Sequence, residues 1–151
     1  MLVTFEEDYK KEISNALEKC QFIEEKLREC IMKAAEIARV RSSQDFPFRC
    51  MPKDISTLTM GKLIDIFSKI NANTEFLNAD AELLASLNAI KLDRNKVAHN
   101  SQLFTLGELQ DKKYMTKVTL NMKDITKRAS AIHYKLLDVR NNLIKTLHVA
   151  K

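Results

Sequence analysis

From Phe5 to Arg41 the chain runs for thirty-seven residues without a glycine or a proline. Within that stretch apolar side chains fall at Phe5, Tyr9, Ile13, Ala16, Cys20, Ile23, Leu27, Cys30, Ala34 and Ile37. The steps between them alternate between three and four, the spacing that keeps one edge of an α-helix apolar. At 1.5 Å rise per residue such a helix is about 55 Å long, which is long for a small domain. Thr4 is the expected N-cap, and Glu6, Glu7 and Asp8 suit the positive end of the helix dipole. A stripe of this length has to be buried against something of similar length.

The rest of the chain supplies partners of the same kind. "RSSQDFPFRCMPKDIS" (residues 41–56) holds both prolines and several turn formers, and is predicted as a loop. A second helix is expected from about Thr59 to "NANTE", with Leu63, Ile66, Phe67 and Ile70 on one face. A third begins near Asp80, a good cap with Glu82 in the first turn, and its apolar face runs Leu83, Leu87, Ile90, Val97. Residues 100–121 read as irregular apart from a short turn around 106–110. Residues 115–120 carry the only trace of strand-like alternation. A last long helix is predicted from a cap at Asn121, with Ile125, Ala129, Ile132, Leu136, Val139, Leu143 and Leu147 inward. Four helices with one stripe each bury those stripes against each other. The predicted fold is an all-α antiparallel four-helix bundle, one domain over residues 1–151, with long first and last helices. Seam left over on the long pair suggests a two-fold homodimer.

Composition sets the class of protein. A hydrophobic fraction of 45% and a charged fraction of 30% describe a soluble globular chain. The longest uncharged run, Val97 to Gly107, has eleven residues, about half of a membrane span. No signal-like leader opens the chain, so a cytoplasmic protein is expected. Cys20, Cys30 and Cys50 form no C-x-x-C pair. Ten residues of one helix hold Cys20 and Cys30 about 15 Å apart, too far for a disulfide, and buried reduced thiols are predicted. Charge is unevenly spread. Residues 1–41 carry eight Lys/Arg against nine Asp/Glu, whereas residues 112–151 carry ten against two. That basic end is either a solvated helix face or a surface that attracts phosphate backbones.

One stretch departs from the pattern. "KLDRNKVAHNSQ" (residues 91–102) sets Arg94 in the middle of the apolar stripe of the third helix. A guanidinium stays charged and is costly to bury alone, so it either snorkels to water or faces a polar cleft. His99 lies about 140° round a continuing helix from Arg94, and joins it only if the helix ends there. Arginine can stabilise charge developing on a phosphate, and histidine can move a proton near neutral pH. No H-E-x-x-H, Gly-rich phosphate loop or G-x-S-x-G competes with this pair, and neither a metal nor a cofactor is expected. His133 and His148 read as structural or exposed.

"DRNKVAHN" resembles the R-N-x-x-x-H motif of the HEPN superfamily, carried at Arg94, Asn95 and His99 near the end of the third helix. "LTMGKLIDIF" (residues 58–67) resembles the helix entry of several HEPN-like bacterial families. The resemblance implies a HEPN-like homodimer whose two motifs face each other, and in many members a metal-independent endoribonuclease of toxin–antitoxin or phage-defence systems. Other members bind RNA, nucleotides or partner proteins without catalysis. It further implies attack by the RNA's own 2′-hydroxyl, with His99 moving protons, Arg94 stabilising the pentacoordinate phosphate and Asn95 orienting it. Lys91 and Lys96 flank the motif and are expected to contact RNA phosphates or to be solvated. Ser101 stands where toxins paired with nucleotidyltransferase antitoxins often carry a modified tyrosine, so that kind of antitoxin partner is not expected. Two other readings stay open: a non-catalytic HEPN-like dimer binding RNA or a protein, and a basic helical regulator binding duplex DNA through its last helix.

Overall fold

The computed structural model describes residues 2–100 and 106–150, and their side chains except those of residues 2–6, 50, 99, 100, 106 and 109. In chain order the elements are α1 (Leu2–Val40), a 3-10 turn (Phe48–Cys50), α2 (Met60–Asn73), α3 (Ala81–Asn100), the five-residue α4 (Leu106–Gln110) and α5 (Lys112–Ala150). Among the described residues there is no strand. The chain is an all-α, four-helix bundle built on two helices of 39 residues each.

α1 and α5 pack along their lengths, and they run in the same direction. Tyr9 shares a cleft with Tyr114 and Val118. The Phe22 ring lies 5.7 Å from that of His133, Glu29 meets Arg140, and Met32 lines a groove with Ile144. The offset between partners stays nearly constant, as it must in a parallel pair. Both helices carry their buried residues at three–four steps, so one seam faces the other over many turns. α3 runs the other way: Glu82 reaches Lys135, and Asp93 reaches Arg128. The directions are therefore mixed and not strictly alternating. The reason lies in the loop between α1 and α2, which doubles back along α1 before α2 begins. Arg28 of α1 pins that return, its Nε donating to the Ile55 carbonyl (3.2 Å) and its Nη2 to the Leu58 carbonyl (3.1 Å).

The last third of α1 is apolar on a wider arc than its seam requires. Ile31, Ala35 and Ala38 are buried beside Cys30, Ala34 and Ile37. The small side chains there let α2 approach closely, with Leu63, Ile64, Phe67 and Ile70 at or below 1% exposure. Asn71 then clamps the turn into α3, accepting from the Ala79 amide (2.9 Å) and donating to its carbonyl (3.2 Å). Asp80 caps α3 through the Leu83 amide at 2.7 Å, as its position suggested.

Two boundaries and one local pattern differ from the sequence reading. α1 is already helical at Leu2, so Thr4 lies inside it and is no cap. α5 starts nine residues before the expected Asn121, with Asp111 capping through the Tyr114 amide at 3.1 Å. The trace of alternation at residues 115–120 is helix, because Met115 is fully buried at helical spacing below Val118 and Met122.

Cys20 and Cys30 are buried free thiols, and the Cys50 side chain lies outside the described residues. Burial pushes the Cys20 thiol up to about 11, against the opposing pull of Arg94, and the Cys30 thiol up to about 12. Since the thiolate is the reactive form, iodoacetamide near about pH 8 should leave both unlabelled in the folded protein and label both in denaturant. Peptide mass spectrometry reads the outcome. The same shifts set a sign for stability: a thiol raised above its ordinary 9.0 favours the fold below that pH, and the contribution is lost as pH rises towards 11.

Candidate functional site

α3 presents five candidate residues, and its helical turn sends them in different directions. Arg94 lies on the inward side with Leu83, Leu87, Ile90 and Val97, all at most 4% exposed. Its guanidinium does not remain in that apolar layer. It reaches α1, where Nη2 stands 3.9 Å from Oε1 of Glu24, and 37% of the side chain stays exposed. Glu24 is the more enclosed partner at 13%, and its other oxygen lies 3.7 Å from Nη2 of Arg28. The cation on the stripe is thus partnered by a carboxylate shared between two arginines.

Asn95 and Lys96 are exposed, and Leu92 on that outer side is 58% exposed. Lys91 is half-buried, its stem laid over Gly61 of α2 closely enough that a β-carbon there would meet its Cδ at 3.4 Å. α3 is helical through Asn100, inside the "HNSQ" stretch where the sequence offers an end, so position 99 is still helical. Positions 94 and 99 therefore belong to one uninterrupted helix, about 140° apart at 100° per residue. The His99 side chain lies outside the described residues, as does Ser101.

Beside this end of α3 a cleft of about 500 Å³ opens between α1, α3 and α5, lined by Tyr9, Asp93, Lys96, Tyr114, Asn121 and Arg128 among others. Arg128 bridges it, with Nη1 2.7 Å from Asp93 and Nε 2.9 Å from Asp124. Burial opposes the charge on Arg128, but the two carboxylate bonds outweigh it and raise its affinity for the proton. A larger groove of about 800 Å³ lies between α1, α5 and the return loop, lined in part by Met32, Phe48, Lys53 and Arg140. It contains none of the five candidates.

His133 packs on Phe22, and burial, with Lys26 and Lys19 nearby, holds its pKa below the ordinary value. His148 is exposed. Among the described residues no group of three or more His, Cys, Asp or Glu is placed to hold a metal ion. Among the described residues no helix is long and apolar enough to cross a membrane.

Sequence reasoning missed Glu24 and the Asp93–Arg128–Asp124 bridge. Glu24 carried a weak signal, standing next to Ile23 of the α1 seam where a flanking charge meets the neighbouring helix. Of the bridge only the Asp124–Arg128 half, an i,i+4 pair on one helix, leaves a trace in the sequence; Asp93 lies 35 positions from Arg128 and leaves none. No family model, curated protein or solved structure matches the chain.

Proposed function

We propose that the chain is a HEPN-type endoribonuclease, acting as a homodimer and without a metal. The observation that carries the reading is the order Arg94, Asn95, His99 in the last turns of the third long helix of a four-helix bundle. Within one chain Arg94 turns inward and Asn95 outward, so a composite site needs a second copy meeting α3 on its outer side. Leu92, exposed between Asn88 and Asn95, offers apolar area for that contact. In the proposed reaction the RNA 2′-oxygen bonds to the adjacent phosphorus as the bond to the 5′-oxygen breaks. One imidazole takes the hydroxyl proton and another delivers a proton to the leaving oxygen. Arg94 stabilises the charge on the phosphate oxygens.

The test is incubation of RNA with wild type and His99→Ala, with and without chelator, followed by end-group analysis. Wild type should leave 2′,3′-cyclic phosphate and 5′-hydroxyl ends regardless of chelator, and His99→Ala should lose nearly all cleavage. Equal cleavage by the variant would refute the assignment.

A second reading draws on the Arg94–Glu24 pair. A guanidinium already partnered by a carboxylate suits a non-catalytic bundle that binds RNA or a protein. Binding of RNA that emerges intact would favour it.

A further inference from the structure

The basic end of the chain resolves into a directional feature. Of its cations, Arg128, Lys135 and Arg140 are engaged by carboxylates of Asp93, Asp124, Glu82 and Glu29. Lys112, Lys113, Lys117, Lys123 and Lys127 are all exposed, and none has an ion-pair partner among the described residues. At 100° per residue these five fall within an arc of about 140° on the side of α5 opposite Met115, Met122 and Ala129. They extend over about 22 Å of axis at 1.5 Å per residue. The only acid in the segment, Asp124, is held by Arg128.

Two features separate this row from a merely solvated face. Lys112 and Lys113 stand in the first turn of α5, which has no acidic residue. The helix dipole disfavours cations at that end, so stability alone argues against placing them there, whereas an incoming anion gains from both. The same side of the helix also exposes Leu120 (57%) and, two turns past Lys127, Tyr134 (67%). Cations interleaved with an exposed ring and an exposed aliphatic side chain are what an unpaired strand uses, phosphates on the lysines and bases against the apolar groups. Asp138 closes the row at its far end. On the other flank Lys117 lies beside the cleft that Lys96 and Asn121 line, so the row leads to the end of α3.

We infer that the outer side of α5 from Lys112 to Tyr134 is a track for single-stranded RNA, feeding the strand across the Lys96 cleft to the α3 motif. This rests on the RNA-directed reading above and adds the form of the substrate and its route.

The experiment is a titration of fluorescein-labelled, mixed-sequence single-stranded RNA into the His99→Ala protein across a salt series. Five lysine–phosphate contacts at about −0.7 each contribute about −3.5 to the slope of log K against log salt. Replacing all five lysines by glutamine should remove that contribution, leaving only what Lys96 and the α3 motif supply, and weaken binding at low salt by about 100-fold or more. Glutamine is a comparable helix former, and removing first-turn cations should leave the melting temperature equal or higher. An unchanged slope in the glutamine variant overturns the track, as does unlabelled duplex DNA displacing the probe as well as unlabelled RNA does. Wild-type cleavage with an unchanged slope would remove the track and keep the nuclease. A lysine-dependent slope without cleavage would keep the track and remove the nuclease.

Discussion

Phe67→Ala is expected to destabilise the fold by about 3–5 kcal/mol, the range for deleting a buried aromatic ring without refilling its space. Phe67 is fully buried, in a helix of fourteen residues that buries six of them. α2 is short, and it packs against both α1 and α3. Its neighbours on both sides belong to longer helices anchored elsewhere, so they have little freedom to collapse into a ring-sized void. Native stabilities of about 5–15 kcal/mol make this about a fifth or more of the total. Urea unfolding should show a lower midpoint at unchanged slope, since the surface exposed on unfolding stays about the same. Val149→Ala is the companion measurement. That side chain is 83% exposed, and its loss should change stability by no more than about 0.5 kcal/mol. A Phe67→Ala cost below about 1 kcal/mol would mean that α2 is not part of the cooperative core.

The same contrast shows what a single sequence makes legible. Periodicity located every long helix, because burial along one edge leaves a mark at each turn. Leu83, Leu87, Ile90 and Val97 were read as inward, and all four are buried. Helix ends were harder. Asp80 is legible as a cap because it precedes the apolar run directly, whereas Asp111 is not. Four residues after it, Met115 opens a stretch whose apolar residues also fit strand-like alternation, so the helical turn there is masked in the sequence. The direction of α5 relative to α1 left no trace either. Two equal stripes can meet in parallel or antiparallel order, and the choice is made by a loop whose path depends on Arg28 finding the carbonyls of Ile55 and Leu58. The site followed the same division. Arg94 stood out because a charge interrupted a regular pattern, but its partner Glu24 lies 70 positions earlier and interrupts nothing.

That partner turns the nuclease proposal into a quantitative experiment. At 3.9 Å and with 37% of the arginine exposed, the Arg94–Glu24 pair is worth no more than about 1 kcal/mol. A phosphate competing for the guanidinium therefore has a shallow well to overcome. Arg94→Ala should lower RNA cleavage by about 10²–10³-fold, the cost of one well-placed donor, while shifting stability by about 1 kcal/mol or less. Arg94→Lys keeps the charge and loses the planar fork, and should recover only a minor part of the rate. Glu24→Gln tests the competition from the other side. Arg28 remains fixed by its two carbonyls, so the return loop should hold, and Arg94 should become free to turn to substrate. Cleavage and RNA affinity should then rise, each by a few-fold, in line with the removal of a pair of about 1 kcal/mol. If Glu24→Gln and Arg94→Ala instead lowered stability together and left cleavage untouched, Arg94 would be a strut between α1 and α3. The guanidinium would then belong to the architecture of the bundle, and the chemistry would have to be sought in another residue.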